Sequence, residues 1–416
     1  MVDLKILNGW RFKMGNTQTQ EKKLYSSAFI LYLNYFIHGI GCSILGQQVI
    51  KESLAMQWNS SVDSVTMIAA ALGLGRLITL PFSGPISDKL GRRICSLIGV
   101  ASYAVFFIGL AFSPNVQVAY IVAILGGVAN SFLDTGVIPA CVEILAPKSG
   151  LATMLTKLFI SAAQLLLPIT LGLFATNNIS YSTFMIACAA VLIVIGLLVT
   201  RIKLPETNVE KGEKVPGLME NIKHTKFTKE SLALIAIGFT CTATFQLWLN
   251  CAQTFGTEVA GMRDAGQMQV WYSAGTIVAI ILTSILVNKI KEVRFLFLYP
   301  LISLAMLVAV LMIKTPTICM IGSFVIGYSA AGGVLQLATA TVNDLFPKIK
   351  GTITSIIMIA SSLSNYTILT AAGKIGATSG PEAVMMMNIV ITAIGVLLAL
   401  LVNMRFSKLE EAAREN

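Results

Sequence analysis

The chain has 416 residues, of which 55% are hydrophobic and 12% charged, with a mean hydropathy of +0.78. That excludes a soluble globular protein, whose charged share is about a quarter. The net charge of +10 does not point to nucleic acid, because the basic residues gather in short stretches between long apolar runs.

The first 25 residues are polar and basic, without an apolar core or a small-residue cleavage site, and read as a cytoplasmic leader, not a signal peptide. Apolar segments follow near 26–50, 64–86, 94–113, 117–142, 151–176, 180–200, 230–256, 266–288, 295–313, 317–342, 352–373 and 384–404. Each is about the 20 residues with which a helix crosses ~30 Å of hydrocarbon at 1.5 Å per residue. None shows the ten-residue alternation of a membrane barrel. Twelve spanning helices are predicted. With both termini cytoplasmic, 24 of the 30 lysines and arginines fall on that side; Lys51, Arg263, Lys314 and Lys374 fall on the other, and Arg76 and Lys157 lie within helices. That bias sets the expected orientation. The seven cysteines all lie in apolar segments without Cys-x-x-Cys spacing, so neither a disulfide nor a metal site is expected.

Between the second and third helices the chain reads Gly84-Pro-Ile-Ser-Asp-Lys-Leu-Gly-Arg-Arg93. Retention of cations on the cytoplasmic side explains Lys89, Arg92 and Arg93. It does not explain the paired glycines or Asp88. Gly84 and Gly91 are expected to let backbones approach closely, and Asp88 to pair with Arg92. This pattern after a second membrane helix resembles the loop signature of the Major Facilitator Superfamily. The resemblance implies an all-α membrane fold of two pseudo-symmetric six-helix bundles, here 26–200 and 230–404. Around them lie the leader 1–25, a cytoplasmic linker 201–229 and a tail 405–416. It also implies a conformational latch in which Gly84, Asp88, Gly91, Arg92, Arg93 and Glu143 gather near the start of the eleventh helix at about Thr352. The runs Gly127-Val-Ala-Asn-Ser-Phe-Leu-Asp-Thr-Gly136 and Phe324-Val-Ile-Gly-Tyr-Ser-Ala-Ala-Gly-Gly333, with Phe346-Pro-Lys, resemble the YdiM/YdiN type of bacterial inner-membrane permease. Shikimate- or quinate-like solutes are the cargo suggested for that group.

An offset of 200 residues superposes Gly75 on Gly275, Gly127 on Gly327, Pro147 on Pro347 and Lys148 on Lys348. The loop signature is degenerate in the second copy, where Asn288, Ser284 and Lys291 replace Asp88, Gly84 and Gly91. At mid-membrane, Thr276 replaces Arg76 and Val334 replaces Asp134. Charge chemistry is therefore expected in the first half alone.

Charged groups in hydrocarbon cost at least ~2.5 kcal/mol on insertion scales, so they persist where they pair or line a wet cavity. Arg76 lies about 18 Å into the second helix, at 1.5 Å per residue. Asp134 and Asn130 are four apart on one helix, as are Asn34 and His38. The family arrangement would bring these five residues to one pocket. Arg76 and Asp134 read either as a packing ion pair or as a switch, in which protonation of Asp134 frees Arg76 for an anionic substrate. His38 either relays that proton or packs as a neutral ring. Lys157 is expected to snorkel to the cytoplasmic surface. The second half offers Gln246, Asn250 and Gln253 at i, i+4, i+7 with Trp248 and Thr242, then Tyr328, Gln336 and Thr339, and Ser361, Asn365 and Tyr366. Such groups join helices or, collectively, suit a hydroxylated ligand.

The expectation is a monomeric secondary active transporter of the inner membrane. It would move a small hydroxylated carboxylate by proton symport with alternating access, and have no nucleic-acid partner and no cofactor. The alternatives are a drug/proton antiporter, a neutral sugar permease and a receptor that binds without transporting. The antiporter's intramembrane arginine in the fourth helix and Gly-Pro-x-x-Gly-Gly run in the fifth are missing. No nucleotide-binding loop, metal cluster or Ser-His-Asp arrangement suggests an enzyme.

Overall fold

In hydrocarbon every backbone amide needs an internal partner, which long apolar runs find as helices; every regular element among the described residues is helical. A computed structural model describes residues 25–145, 149–204, 227–287, 289–346 and 350–414. Residues 1–24 of the leader, most of the linker, Pro147, Lys148, Asn288, Pro347 and Lys348 lie outside the described residues.

The first span, α1, is Tyr25–Gly46. It ends in a 3-10 turn at Ile44–Gly46, earlier than the expected 50, because Gln47 is extended (φ −74°, ψ 124°) and starts a separate short helix, α2, Gln48–Gln57. There follow α3 Val62–Leu90, α4 Arg92–Phe112, α5 Val116–Ile144, α6 Ser149–Thr176 and α7 Tyr181–Arg201. The second half comprises α8 Lys229–Glu258, α9 Gly266–Leu286, α10 Glu292–Ile313, α11 Pro316–Ile326 and α12 Val334–Leu345. It closes with a 65-residue helix, Lys350–Arg414, that breaks at Gly380 (φ 78°, ψ 174°). That break separates α13 (350–379) from α14 (381–414).

Eleven helices among the described residues are long and apolar enough to cross a membrane, and the last of them, Thr352–Arg405, carries the Gly380 break. Counting its two arms separately gives the twelve spans the sequence predicts. Side chains of Ser61, Asn115, Ser180, Thr228 and Thr315 accept the first free amides of α3, α5, α7, α8 and α11. Apolar side chains such as Ile193, Val194 and Leu197 on α7 are more than half exposed, as a lipid-facing stripe must be.

The internal repeat is visible as contact geometry. A Cβ on Gly75 would strike the carbonyl of Ile124, and one on Gly275 the carbonyl of Phe324; Gly127 and Gly327 face the carbonyls of Leu72 and Tyr272 in the same way. Each pair differs by 200 residues, so α3 crosses α5 as α9 crosses α11, backbone against backbone at a glycine. The two crossings then diverge. Helix α5 runs on unbroken through Asp134, whereas α11 passes into a π turn at Gly327–Ala331 and a break at Gly333 (φ 131°) before α12 restarts at Val334. The sequence predicted a continuous helix over 317–342; a positive φ at Gly333 is what ends it.

The halves meet along two seams. Gly73 of α3 lies against the backbone of Asn365 and Tyr366 on α13, and Gly373 against Met67. Ser284 of α9 touches the Met154 sulfur of α6 at 3.5 Å. At the end of the molecule away from Asp88 the halves are also clasped by polar contacts from α2 to α8. The Gln48 amide donates to Gln253 Oε1 at 2.9 Å, Gln253 Nε2 to Gln47 Oε1 at 3.2 Å, and Thr254 Oγ1 to Gln48 Oε1 at 2.9 Å. Lys51, expected on a loop surface, is fully buried here and donates to the Asn250 carbonyl and, at 3.3 Å, to Thr254.

Candidate functional site

Arg76 and Asp134 project from the α3–α5 crossing that the paired glycines create. Arg76 Nη2 donates to Asp134 Oδ2 at 2.8 Å, and each side chain keeps 23% of its surface accessible. The same nitrogen lies 3.6 Å from the Met358 sulfur of α13. At Met358 the guanidinium thus faces the second half. The other carboxylate oxygen, Oδ1, accepts the Tyr35 hydroxyl of α1 at 2.9 Å.

Tyr35 also meets the His38 ring edge-on, with centroids 5.4 Å apart. His38 Nδ1 is 2.9 Å from the Tyr103 hydroxyl of α4, which donates to Asn130 Oδ1 on α5; His38 Nε2 is 3.3 Å from Cys42 Sγ. The Tyr103 hydroxyl gives its proton to Asn130, so its oxygen is free to accept from His38 Nδ1, while Nε2 faces the Cys42 sulfur. Among the described residues His38 has no hydrogen bond to Asp134, and Tyr35 stands between them.

Of the expected pocket residues, Arg76, Asp134, His38 and Asn130 are brought together in this chain of contacts. Asn34 is not. Its amide turns back to the carbonyls of Ile30 and Leu31, so the face of α1 that joins these contacts is Tyr35, His38 and Cys42, at i, i+3, i+7. Tyr35, Tyr103 and Cys42 escaped the sequence reading, although that spacing was a usable signal. Lys157 was misread. It is half-buried on α6 within electrostatic reach of Asp134, Arg76 and Cys42, and of Cys241 on α8, which puts it among the interior helices instead of at the surface.

The second-half residues divide. Asn365 lies at the α3–α13 seam one turn from Arg76, with its Oδ1 buried and without a partner among the described residues. Gln246 accepts from Asn250 at 3.1 Å, and Asn250 and Gln253 belong to the clasp. Trp248 is buried with Leu307 and Val310 inside the second half and is a packing residue, because Gly322 leaves room for its ring. Gln336 is exposed on α12 and makes no hydrogen bond to a described group. Thr242 and Ser361 bond each other at 2.9 Å, as do Thr244 and Thr392 at 2.8 Å, which is how hydroxyls join helices.

At the loop signature, Arg92 donates to Asp88 at 2.9 Å and lies 3.6 Å from Glu143. Of the groups expected near the start of the eleventh helix, these three lie together in the first half, and Asp88 is 56% exposed. Arg93 stands apart and donates to the Ile202 carbonyl at the end of α7. The glycines do not serve close approach here. A Cβ on Gly84 or Gly91 would meet nothing within 4 Å, and Gly91 is required by its φ of 91°, which separates α3 from α4. No group of three or more His, Cys, Asp or Glu side chains able to hold a metal ion occurs among the described residues.

Two bundles related by a 200-residue repeat, crossing at glycines and meeting over an interior ion pair, define a class of membrane transporter. Residues 27–365 match the sequence model of the Major Facilitator Superfamily, and the chain belongs to that family: it is a multi-pass membrane transporter and not an enzyme. Over 92% of its length it is 34% identical to an uncharacterized MFS-type transporter, YfkL of Bacillus subtilis (strain 168), covering 97% of that protein. It is 30% identical over 93% of its length to the inner membrane transport protein YdiN of Escherichia coli (strain K12), again covering 93%. Its fold matches a crystal structure of the D-xylose-proton symporter with a TM-score of 0.73 at 16% identity, covering 91% of this chain and 97% of that one.

Proposed function

We propose that the chain is a secondary active transporter that carries a small hydroxylated carboxylate, shikimate- or quinate-like or a sugar acid, together with a proton. It would act as a monomer by alternating access, with both termini in the cytoplasm. The observation that carries this reading is the Arg76–Asp134 pair at 2.8 Å, partly accessible and touching the second half at Met358, without a charged counterpart at Thr276 or Val334. A pair kept only for packing gains nothing from that accessibility. A carboxylate that takes a proton releases its guanidinium, and a free guanidinium in a low-dielectric site binds a carboxylate through two parallel hydrogen bonds. Proton and anion would then arrive together, and their charges would leave Asp134 and Arg76 satisfied. The amide oxygen of Asn365 nearby, without a partner among the described residues, suits a hydroxyl donor of the same solute.

The reading is tested in proteoliposomes with radiolabelled quinate and shikimate. One proton per solute allows about tenfold accumulation per pH unit. Asp134→Asn, which holds no charge, is expected to retain solute exchange and to lose accumulation driven by a pH gradient. Accumulation equal to wild type in that variant removes Asp134 from the mechanism.

A further inference from the structure

The interior of the first half holds one more cation than the Arg76–Asp134 exchange needs. Lys157 is eight residues into α6, about 12 Å from its start. Its ammonium lies within electrostatic range of groups on α1, α3 and α5 (Cys42, Arg76 and Asp134) and, across the interface, of Cys241 on α8. The flanking turns fix that direction. Ile160 lies backbone to backbone against Gly39 of α1, Gln164 donates to Ser43 of α1 at 2.8 Å, and Met154 touches Ser284 of α9. The face of α6 that carries Lys157 is therefore turned toward both halves.

Both oxygens of Asp134 already have donors, Arg76 and Tyr35. Lys157 forms no ion pair or hydrogen bond with any described residue. Arg76 and Asp134 pair with each other, so the ammonium is a half-buried positive charge without a carboxylate partner among the described residues. The fold does not require it, because the repeat puts Ile357 at the equivalent position, fully buried in the second half's core. A packing lysine would have a partner, and a snorkelling one would reach the surface.

We propose that Lys157 is the docking residue for an anion, a carboxylate or sulfonate of a small organic acid, in the space between the halves. The Arg76–Asp134 pair then serves as the coupling element instead of the first contact. This deepens the proposed transport of a carboxylate and rests on it for the identity of the cargo, but its test does not depend on transport.

The native Cys42 thiol is the reporter, read by peptide mass spectrometry on the full-length protein in nanodiscs. The probes are two methanethiosulfonates of similar size, the anionic sulfonatoethyl and the cationic trimethylammonioethyl reagent, each normalised to its rate with a free thiol. Their ratio cancels any change in thiol ionisation and reports the local field alone. Wild type is expected to favour the anionic reagent. Lys157→Gln should lower the ratio by about fivefold or more, since a unit charge within ~10 Å acts oppositely on the two reagents, and Lys157→Arg should keep it. Lys157→Gln should also melt no lower than wild type, because it removes an unpaired charge. A ratio in Lys157→Gln within about twofold of wild type, no reaction at Cys42 with either reagent, or a loss of folding in Lys157→Gln that Lys157→Arg does not share with its ratio unchanged overturns the proposal. If the ratio falls as stated while Asp134→Asn still accumulates solute on a pH gradient, the anion site stands and proton coupling through Asp134 fails.

Discussion

Each oxygen of the Asp134 carboxylate has its own donor, Tyr35 on one side and Arg76 on the other. A hydrogen bond to a charged acceptor contributes about 1.5 to 3 kcal/mol net, so Tyr35 is as much a part of the site as the two charged residues. Tyr35→Phe should lower the melting temperature of the solubilised protein by a few degrees. Combined with Asp134→Asn it should cost less than the two single losses added, because the hydroxyl has then already lost its charged acceptor. Additive melting shifts would mean that Tyr35 packs beside Asp134 without sharing its charge. At this scale the sequence revealed the expensive groups and not their company. Arg76 and Asp134 stand out because charge in hydrocarbon is rare, whereas Tyr35, Tyr103 and Cys42 are ordinary membrane residues until the fold brings α1, α4 and α5 together. Lys157 was misjudged because depth along a helix says nothing about which face a side chain occupies.

Among the elements, α2 and the break between α11 and α12 were the two that apolar run lengths did not show. The first is a ten-residue helix whose polar side chains would read as a loop, yet it carries the clasp onto α8. Removing the Gln253 side chain takes away the contacts to Gln47 and Gln48; at about 1 kcal/mol each, Gln253→Ala should shift the open-to-closed balance of that end by roughly tenfold or more. Lys51 adds a pH dependence. Burial, the largest influence, pushes its amine below the ordinary lysine value, against the opposing pull of Cys251, Asp63 and Glu258. The closed end therefore binds fewer protons than an open end in which the amine is hydrated. Closure is favoured as pH rises toward ~10.4, the ordinary lysine value, and weakened as pH falls. Pulsed electron–electron resonance between spin labels on α2 and α8 should show the closed fraction growing with pH in wild type, falling in Gln253→Ala and losing its pH slope in Lys51→Met. A closed fraction indifferent to both substitutions would contradict the clasp.

For the molecule as a whole, the internal repeat was the most legible feature. Gly75, Gly127, Gly275 and Gly327 were matched by offset alone, and each stands where a Cβ would strike the facing helix. A helix crossing needs small residues at fixed spacing, so its trace survives in sequence. The loop signature was legible as a charge cluster but not as geometry, because Arg92, Asp88 and Glu143 pair within one half and Gly84 faces open space in this conformation. The polar residues of the second half were the least legible. Thr242, Ser361, Thr244 and Thr392 resemble ligand hydroxyls in sequence and turn out to bond one another, a distinction only three-dimensional neighbours supply. What separates the halves is charge: the first places a guanidinium and a carboxylate at its crossing, and the second a threonine and a valine at the same positions. In the proposed mechanism, proton uptake and anion binding are one event at Asp134. Calorimetric titration of the purified transporter with quinate in two buffers of different ionisation enthalpy counts the protons taken up. Wild type should take up about one proton per anion bound, and Asp134→Asn none. Anion binding by wild type without proton uptake, or equal uptake by both proteins, would contradict it.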